Sequence, residues 1–201
     1  MRITQEAKQQ NRKRILQVAA SLFSEQGYGK TTTRDISTAC KMAKGTLFNY
    51  FPSKETLAMT MVAEAMEEGR ERYLERRAGE ESLVEELFLL VASELRALRP
   101  YRLYIGPVLE SGMSVFAKEA CCPAGEQARR AHLETVAAIL AAHHYELVPE
   151  SIAVTLYWSL YLGILAHWSK DTSSHQQATL SLLDYSMKVF AVTISGSLPE
   201  V

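Results

Sequence analysis

The residues whose types and spacing could do chemistry lie between positions 31 and 57, in the run TTTRDISTACKMAKGTLFNYFPSKETL. Leu47 and Phe51 are four apart and share one face of a helix, which turns inward with Ile36 and Phe23. Lys44, Thr46, Asn49 and Tyr50 then face outward. The hydroxyl of Thr46 and the amide of Asn49 are sized for hydrogen bonds to base edges, and the ammonium groups of Lys44 and Lys54 suit phosphates. The implied chemistry is recognition of a nucleic acid. Tyr50 has two readings: core, alongside Phe48 and Phe51, or a phosphate donor between Lys44 and Lys54.

The remaining reactive side chains make no catalytic set. His167, Asp171 and His175 have helical spacing for a metal, but KDTSS breaks the helix between them. His143 and His144 are adjacent and point in different directions. There is no Gly-rich phosphate loop, serine elbow or paired-carboxylate motif. The reading is therefore not an enzyme, with no cofactor and no metal site. Three cysteines make no disulfide framework, which fits a reducing, cytoplasmic compartment. Cys121 and Cys122 are read as loop thiols, either without a special role or as a thiol switch, and Cys40 as a packed thiol. The first 14 residues are polar and basic, with no signal-peptide pattern.

Those outward side chains need elements to hold them. The chain has 201 residues, 47% of them hydrophobic, and a formal net charge of −1. The charge is divided unevenly: residues 1–60 carry ten Lys/Arg against four Asp/Glu, and the remainder twelve against nineteen. A basic N-terminal part facing a polyanion is the natural inference. Periodicity is helical throughout, without strand alternation or repeats, so the fold class is all-α. A first helix spans 6–26, with Ile15, Leu16, Ala19, Leu22 and Phe23 on its apolar stripe and Gly27 as its stop. A short helix capped by Thr32 or Thr33 follows, with Asp35 at its positive end. The next runs from Lys44 to Phe51, where Pro52 ends it. Ser53 caps a long helix over 53–78, whose far half, EEGRERYLERR, is a solvated, charge-laced stretch. Further helices are predicted near 81–98, 101–118, 126–145, 150–169 and 175–195.

A long helix followed by two short ones joined by a turn is the layout of a helix-turn-helix module. The run TTTRDIS…AKGTLFNYFPSKETL resembles the N-terminal DNA-binding domain of the TetR family of transcriptional regulators, over about residues 8–60. The resemblance implies that Thr33 and Arg34 open the first helix of the motif, against the sugar-phosphate backbone or a base. Lys44, Gly45 and Thr46 begin the reading helix, Gly45 allowing close approach. Phe48, Asn49 and Tyr50 lie in its middle, with the Tyr50 hydroxyl donated to a phosphate, and Lys54 completes the clamp. There are three departures. Lys41 stands where the turn usually has Gly and must turn left-handed; Cys40 replaces a small residue; Phe48 stands where Tyr is commoner and is suited to a thymine methyl.

The implied organisation is a DNA-binding domain over 1–52, a connecting helix over 53–78, and a helical effector-binding and dimerisation domain over 79–201. Ser151 to Ser169 contains no Asp, Glu, Lys or Arg and is long enough to span a membrane. Its apolar circumference equally suits burial in an interface, and the expected partner is a second copy, joined through helices near 150–169 and 175–195. Tyr101, Tyr104, Met113, Phe116, Tyr157 and Trp158 are either plain core or the lining of a cavity for a small apolar or aromatic effector. The expected function is a ligand-responsive regulator, a repressor that leaves a palindromic double-stranded operator when the effector binds. The rival readings are an enzyme and a helical adaptor that retains the module without binding DNA.

Overall fold

The computed structural model describes residues 4–112, 122–145 and 147–196. Among these the chain is helical and contains no strand. The helices are α1 (Gln5–Gln26), α2 (Thr33–Ala39), α3 (Lys44–Phe48), α4 (Lys54–Arg76), α5 (Leu83–Leu98), α6 (Ile105–Gly112), α7 (Pro123–Ala142), α8 (Glu150–Lys170) and α9 (Gln177–Ile194). They form two compact units, one of Met1–Glu64 with Leu103–Glu126, the other of Ala65–Arg102 with Gln127–Val201.

In three of the expected helices the boundaries move for a local reason. The helix expected over 101–118 begins as a 3₁₀ segment, Arg99–Tyr104, and becomes α-helical only at Ile105. Pro107 has no N–H to give and fits only the first turn of an α-helix. The helix expected from 126 starts at Pro123, where a fixed φ and a missing donor cost nothing at the first position. It ends early, at Ala142, because His144 turns left-handed (φ 57°) and folds the Tyr145 N–H back onto the Leu140 carbonyl. The helix expected from 175 begins at Gln177, since His175 and Gln176 are both left-handed.

In the first unit, Ile15, Leu16, Ala19 and Phe23 of α1, Ile36 of α2 with its C-cap Cys40, Leu47 of α3, and Phe51 are all buried. Tyr104 and Tyr28 pack edge-on against Phe23, with ring centroids 5.3 and 5.0 Å away. Buried side chains of this size each contribute roughly 1.5–3 kcal/mol by leaving water. That burial is what holds helices as short as α2 and α3, which have too few turns to persist alone.

In the second unit, α5 presents Leu83, Leu87, Leu90, Val91 and Leu98 on one stripe, and α9, with Leu183, Met187, Phe190 and Ile194 inward, packs against both α5 and α8. Arg102 covers the end of α8: its Nε donates to the Trp168 carbonyl at 2.7 Å, and its guanidinium also reaches the Asp171 carbonyl. Asp171 in turn caps α9, accepting from the Thr179 N–H and hydroxyl at 2.9 and 2.6 Å. Hydrogen bonds from Ser173 and Thr179 hold this carboxyl well below the usual range. Those bonds give Asp171 a structural task, and among the described residues no cluster of metal-ligating side chains occurs.

Candidate nucleic-acid interface

The interface is assembled from local rules. Thr32 caps α2 in a reciprocal box with Asp35: its hydroxyl accepts from the Asp35 N–H at 3.2 Å, and its own N–H donates to the Asp35 carboxylate at 2.8 Å. The same pairing depresses the Asp35 pKa, chiefly through the Thr32 hydroxyl. Beyond Cys40, Lys41 adopts φ 51°. Its N–H donates to the Thr38 carbonyl, and the Met42 N–H donates to the Ser37 carbonyl at 3.0 Å. This pair of bonds is a Schellman motif, in which the left-handed position is usually glycine. Lysine fills it here, at a cost of about 1–2 kcal/mol in backbone strain. The expectation for Lys41 and the structure agree.

The turn delivers α3 with Leu47 1% and Phe51 4% exposed, while Lys44, Gly45, Phe48 and Asn49 lie on the surface and Thr46 and Tyr50 are half-buried. Regular α-helix stops at Phe48, three residues before the expected end, although Phe51 still donates to the Leu47 carbonyl at 3.0 Å. Thr33 is half-buried and Arg34 exposed at the start of α2. No hydrogen bond or ion pair within the described residues engages the side chains of Arg34, Lys44, Thr46 or Asn49. The Lys44 ammonium lies 5.5 Å from the centre of the Phe48 ring, which leaves its three donors to solvent. A Cβ added at Gly45 would meet nothing within 4 Å, so no neighbour inside the protein requires a glycine there.

Two of the expected residues are tied into the protein. The Lys54 ammonium donates to the carbonyls of Tyr28 and Thr31 at 2.8 and 3.1 Å and sits 4.2 Å from the centre of the Tyr28 ring. It thereby staples the α1–α2 loop to the start of α4. Burial, aided by the nearby Glu55 carboxylate, pushes the Tyr28 phenol up to about 12. Tyr50 accepts a hydrogen bond from the Asn11 amide at 3.2 Å. Cys40 is buried, and burial raises its thiol pKa.

Of the six residues expected around an effector, four are described. Tyr104 belongs to the first unit, stacked 6.0 Å from Tyr28. Tyr101 is half-buried in the 3₁₀ segment, and Tyr157 and Trp158 are buried in the second unit. Met113 and Phe116 lie outside the described residues, as does Cys121. Cys122 lies in the loop before α7, but it is buried where an exposed loop thiol was expected, and its carbonyl accepts from the Gly125 and Glu126 N–H groups at the start of α7. Within the second unit there is a cavity of about 610 Å³ bounded by the far half of α4 with α5 and α7; Arg70, Tyr73, Leu74 and Ile139 are among its walls, and Tyr101, Tyr104, Tyr157 and Trp158 are not.

A buried polar cluster near that cavity was not anticipated. Glu94 and His132 are fully buried; His132 Nδ1 donates to Glu94 Oε1 at 2.8 Å, the Tyr161 hydroxyl donates to Glu94 Oε2 at 2.7 Å, and Arg70 stands 3.5 Å from Oε1. The Tyr157 hydroxyl pairs with His132 Nε2 at 3.2 Å. Burial and the Glu94 charge raise both tyrosines well above their usual pKa. The cluster ties α4, α5, α7 and α8 together, and α4 approaches α5 so closely that a Cβ on Gly69 would lie 2.5 Å from the Glu94 Cα. One signal existed in the sequence: Glu94 falls on the same stripe as Leu87, Leu90 and Leu98, where a lone carboxylate requires partners.

Comparison with known proteins agrees with this geometry. Residues 15–59 match the family described as bacterial regulatory proteins, tetR family. The uncharacterized HTH-type transcriptional regulator YuxN of Bacillus subtilis is 42% identical over 50 residues, 25% of this chain and 17% of that protein. The HTH-type transcriptional regulator UidR of Escherichia coli is 34% identical over 67 residues, covering 33% and 34% of the two chains. The chain thus spans about a third or less of the length of these curated relatives. A solved structure of Thermus thermophilus FadR, a TetR family transcriptional repressor in complex with lauroyl-CoA, superposes with a TM-score of 0.71 at 20% identity, over 94% of this chain and 96% of that one. At that identity the likeness is one of fold.

Proposed function

We propose that this chain, which through residues 15–59 belongs to the TetR family of bacterial regulatory proteins, is a dimeric regulator that binds operator DNA through α3 and leaves it when a small effector binds. The observation that carries the proposal is the division of α3. Leu47 and Phe51 are held inside, while Lys44, Thr46 and Asn49 make no hydrogen bond or ion pair among the described residues, Lys44 and Asn49 being exposed and Thr46 half-buried; Arg34 on α2 is likewise exposed and unpaired. Polar groups unpaired on a rigid surface are available for base edges and phosphates. Thr33, Gly45, Phe48, Tyr50 and Lys54 complete the proposed DNA-contacting set, Lys54 by fixing the loop as well as by its charge.

Two-fold operators require a dimer. Between its charged ends α8 carries no Asp, Glu, Lys or Arg and is long and apolar enough to cross a membrane, yet only 39% of its 18-residue apolar window is buried. α9 leaves Tyr185 69%, Val189 41% and Val192 47% exposed. Covering these faces with a second copy removes that surface from water, and residues 79–201 are assigned to dimerisation and effector binding on that basis. The cavity beside Tyr73 and Ile139 is of a size that accepts small ligands. Lauroyl-CoA, bound by the Thermus FadR, is a first compound to test. An effector that prefers the dimer spacing unfit for DNA lowers operator affinity by its differential affinity for the two states, and α4, which contributes to both units, is the proposed lever.

The test is selection of bound fragments from the source genome, followed by titration of the best duplex against salt. Release of counterions requires affinity to fall steeply as salt rises, with a log–log slope of about −0.9 per phosphate contact. Absence of an enriched fragment, or a flat salt dependence, would refute DNA binding. An unchanged binding midpoint in the presence of a compound excludes that compound as the effector.

A further inference from the structure

We propose that Asn11 is a positioning residue for DNA binding: its side-chain amide donates to the Tyr50 hydroxyl oxygen and so reserves the hydroxyl hydrogen for a DNA phosphate. This rests on the DNA-binding function proposed above. Asn11 lies on α1, 39 positions before Tyr50, and its Nδ2 is 3.2 Å from the Tyr50 oxygen. A phenol has one hydrogen to donate and lone pairs to accept. Three other tyrosines show the alternative. Tyr73 donates to Glu86 and Tyr161 to Glu94, so their hydrogens are consumed by carboxylates, and Tyr157 is spent on His132. At Tyr50 the neighbour is a donor, the ring is half-buried and follows exposed Asn49, and no protein acceptor for the hydroxyl hydrogen is present among the described residues. An N–H pointed at the oxygen polarises the O–H and strengthens what it gives to an anion. Asparagine also suits the place by carrying no charge. Aspartate there would take the hydroxyl hydrogen for itself and repel the phosphate.

The experiment uses the full chain and a random-sequence duplex of roughly 30 base pairs at low salt, since a phosphate contact acts on every sequence. Tyr50→Phe is expected to weaken binding about tenfold, the scale of one charge-assisted hydrogen bond. Asn11→Ala is expected to weaken it about threefold in the wild-type background and not at all in the Tyr50→Phe background. Asn11→Asp should weaken it more than Asn11→Ala does. Thermal unfolding midpoints, followed in parallel, should stay near the wild-type value for Asn11→Ala. The assignment is overturned if Asn11→Ala binds like wild type, if its effect is the same with and without the Tyr50 hydroxyl, or if its loss of binding tracks a loss of folding. Failure of the wild-type chain to bind the duplex would defeat the DNA-binding function itself, a separate outcome.

Discussion

The surface of α3 and the cluster around Glu94 handle polar side chains in opposite ways. On α3 and its C-cap, Lys44, Thr46 and Asn49 make no hydrogen bond or ion pair among the described residues and are held out by two buried anchors, Leu47 and Phe51. Around Glu94, every carboxylate oxygen and both ring nitrogens of His132 are paired inside a core that water does not reach. Buried polar atoms must find partners within the fold, whereas exposed ones can wait for an outside ligand. Removing a side chain should therefore cost stability in the second region and recognition in the first.

The sharpest way to break this contrast is Glu94→Ala. It strands His132, Tyr161 and Arg70 in the core, and unfolding free energy should fall by about 3–5 kcal/mol. Denaturant titration giving a loss under about 1 kcal/mol, the scale of a single hydrogen bond, would show that the cluster is not a structural unit. Gly69→Ala comes next: its new Cβ would collide with the α5 backbone at Glu94, and forcing the helices apart should cost about 1–3 kcal/mol in the same assay. On α3 the expected stability change reverses to nothing. Asn49→Ala should leave unfolding within about 0.5 kcal/mol of wild type, while discrimination among duplex sequences falls by roughly 1–3 kcal/mol, read by competition binding. A destabilised Asn49→Ala with intact discrimination would erase the difference between the two regions. The smallest effect tests the turn that aims α3. Lys41→Gly should relieve the left-handed strain and raise stability by about 0.5–1 kcal/mol, net of the added freedom of the unfolded chain. A loss of stability there would mean that the lysine contributes a contact beyond its backbone geometry.

How far the sequence reached depended on the distance over which each cause acts. Thr32 capping α2, Lys41 turning left-handed, Leu47 and Phe51 pointing inward, and Gly27 closing α1 with a positive φ are all decided within a few residues. Capping, helical spacing and the steric limits on φ act locally, so residue order alone dictates them. The misplaced boundaries were local too: Pro107 and Pro123 are visible in the sequence and account for where α6 and α7 begin.

What residue order left open was the pairing of groups far apart in the chain. Lys54 could be recognised as a basic residue at a helix start, but only folding brings the Tyr28 and Thr31 carbonyls to its ammonium, 26 and 23 positions back. His132 and Tyr161 meet Glu94 across 38 and 67 positions, and Asn11 meets Tyr50 across 39. Cys122, in a loop-like CCPAG stretch, proved buried because its burial depends on what packs over it. The sequence by itself determined the helical class, the cap of α2, the left-handed turn at Lys41 and the inward face around Leu47 and Phe51, because those follow from the covalent chain and its nearest neighbours. Only the tertiary structure decided which polar groups are satisfied and which remain available, because a hydrogen bond depends on separation in space.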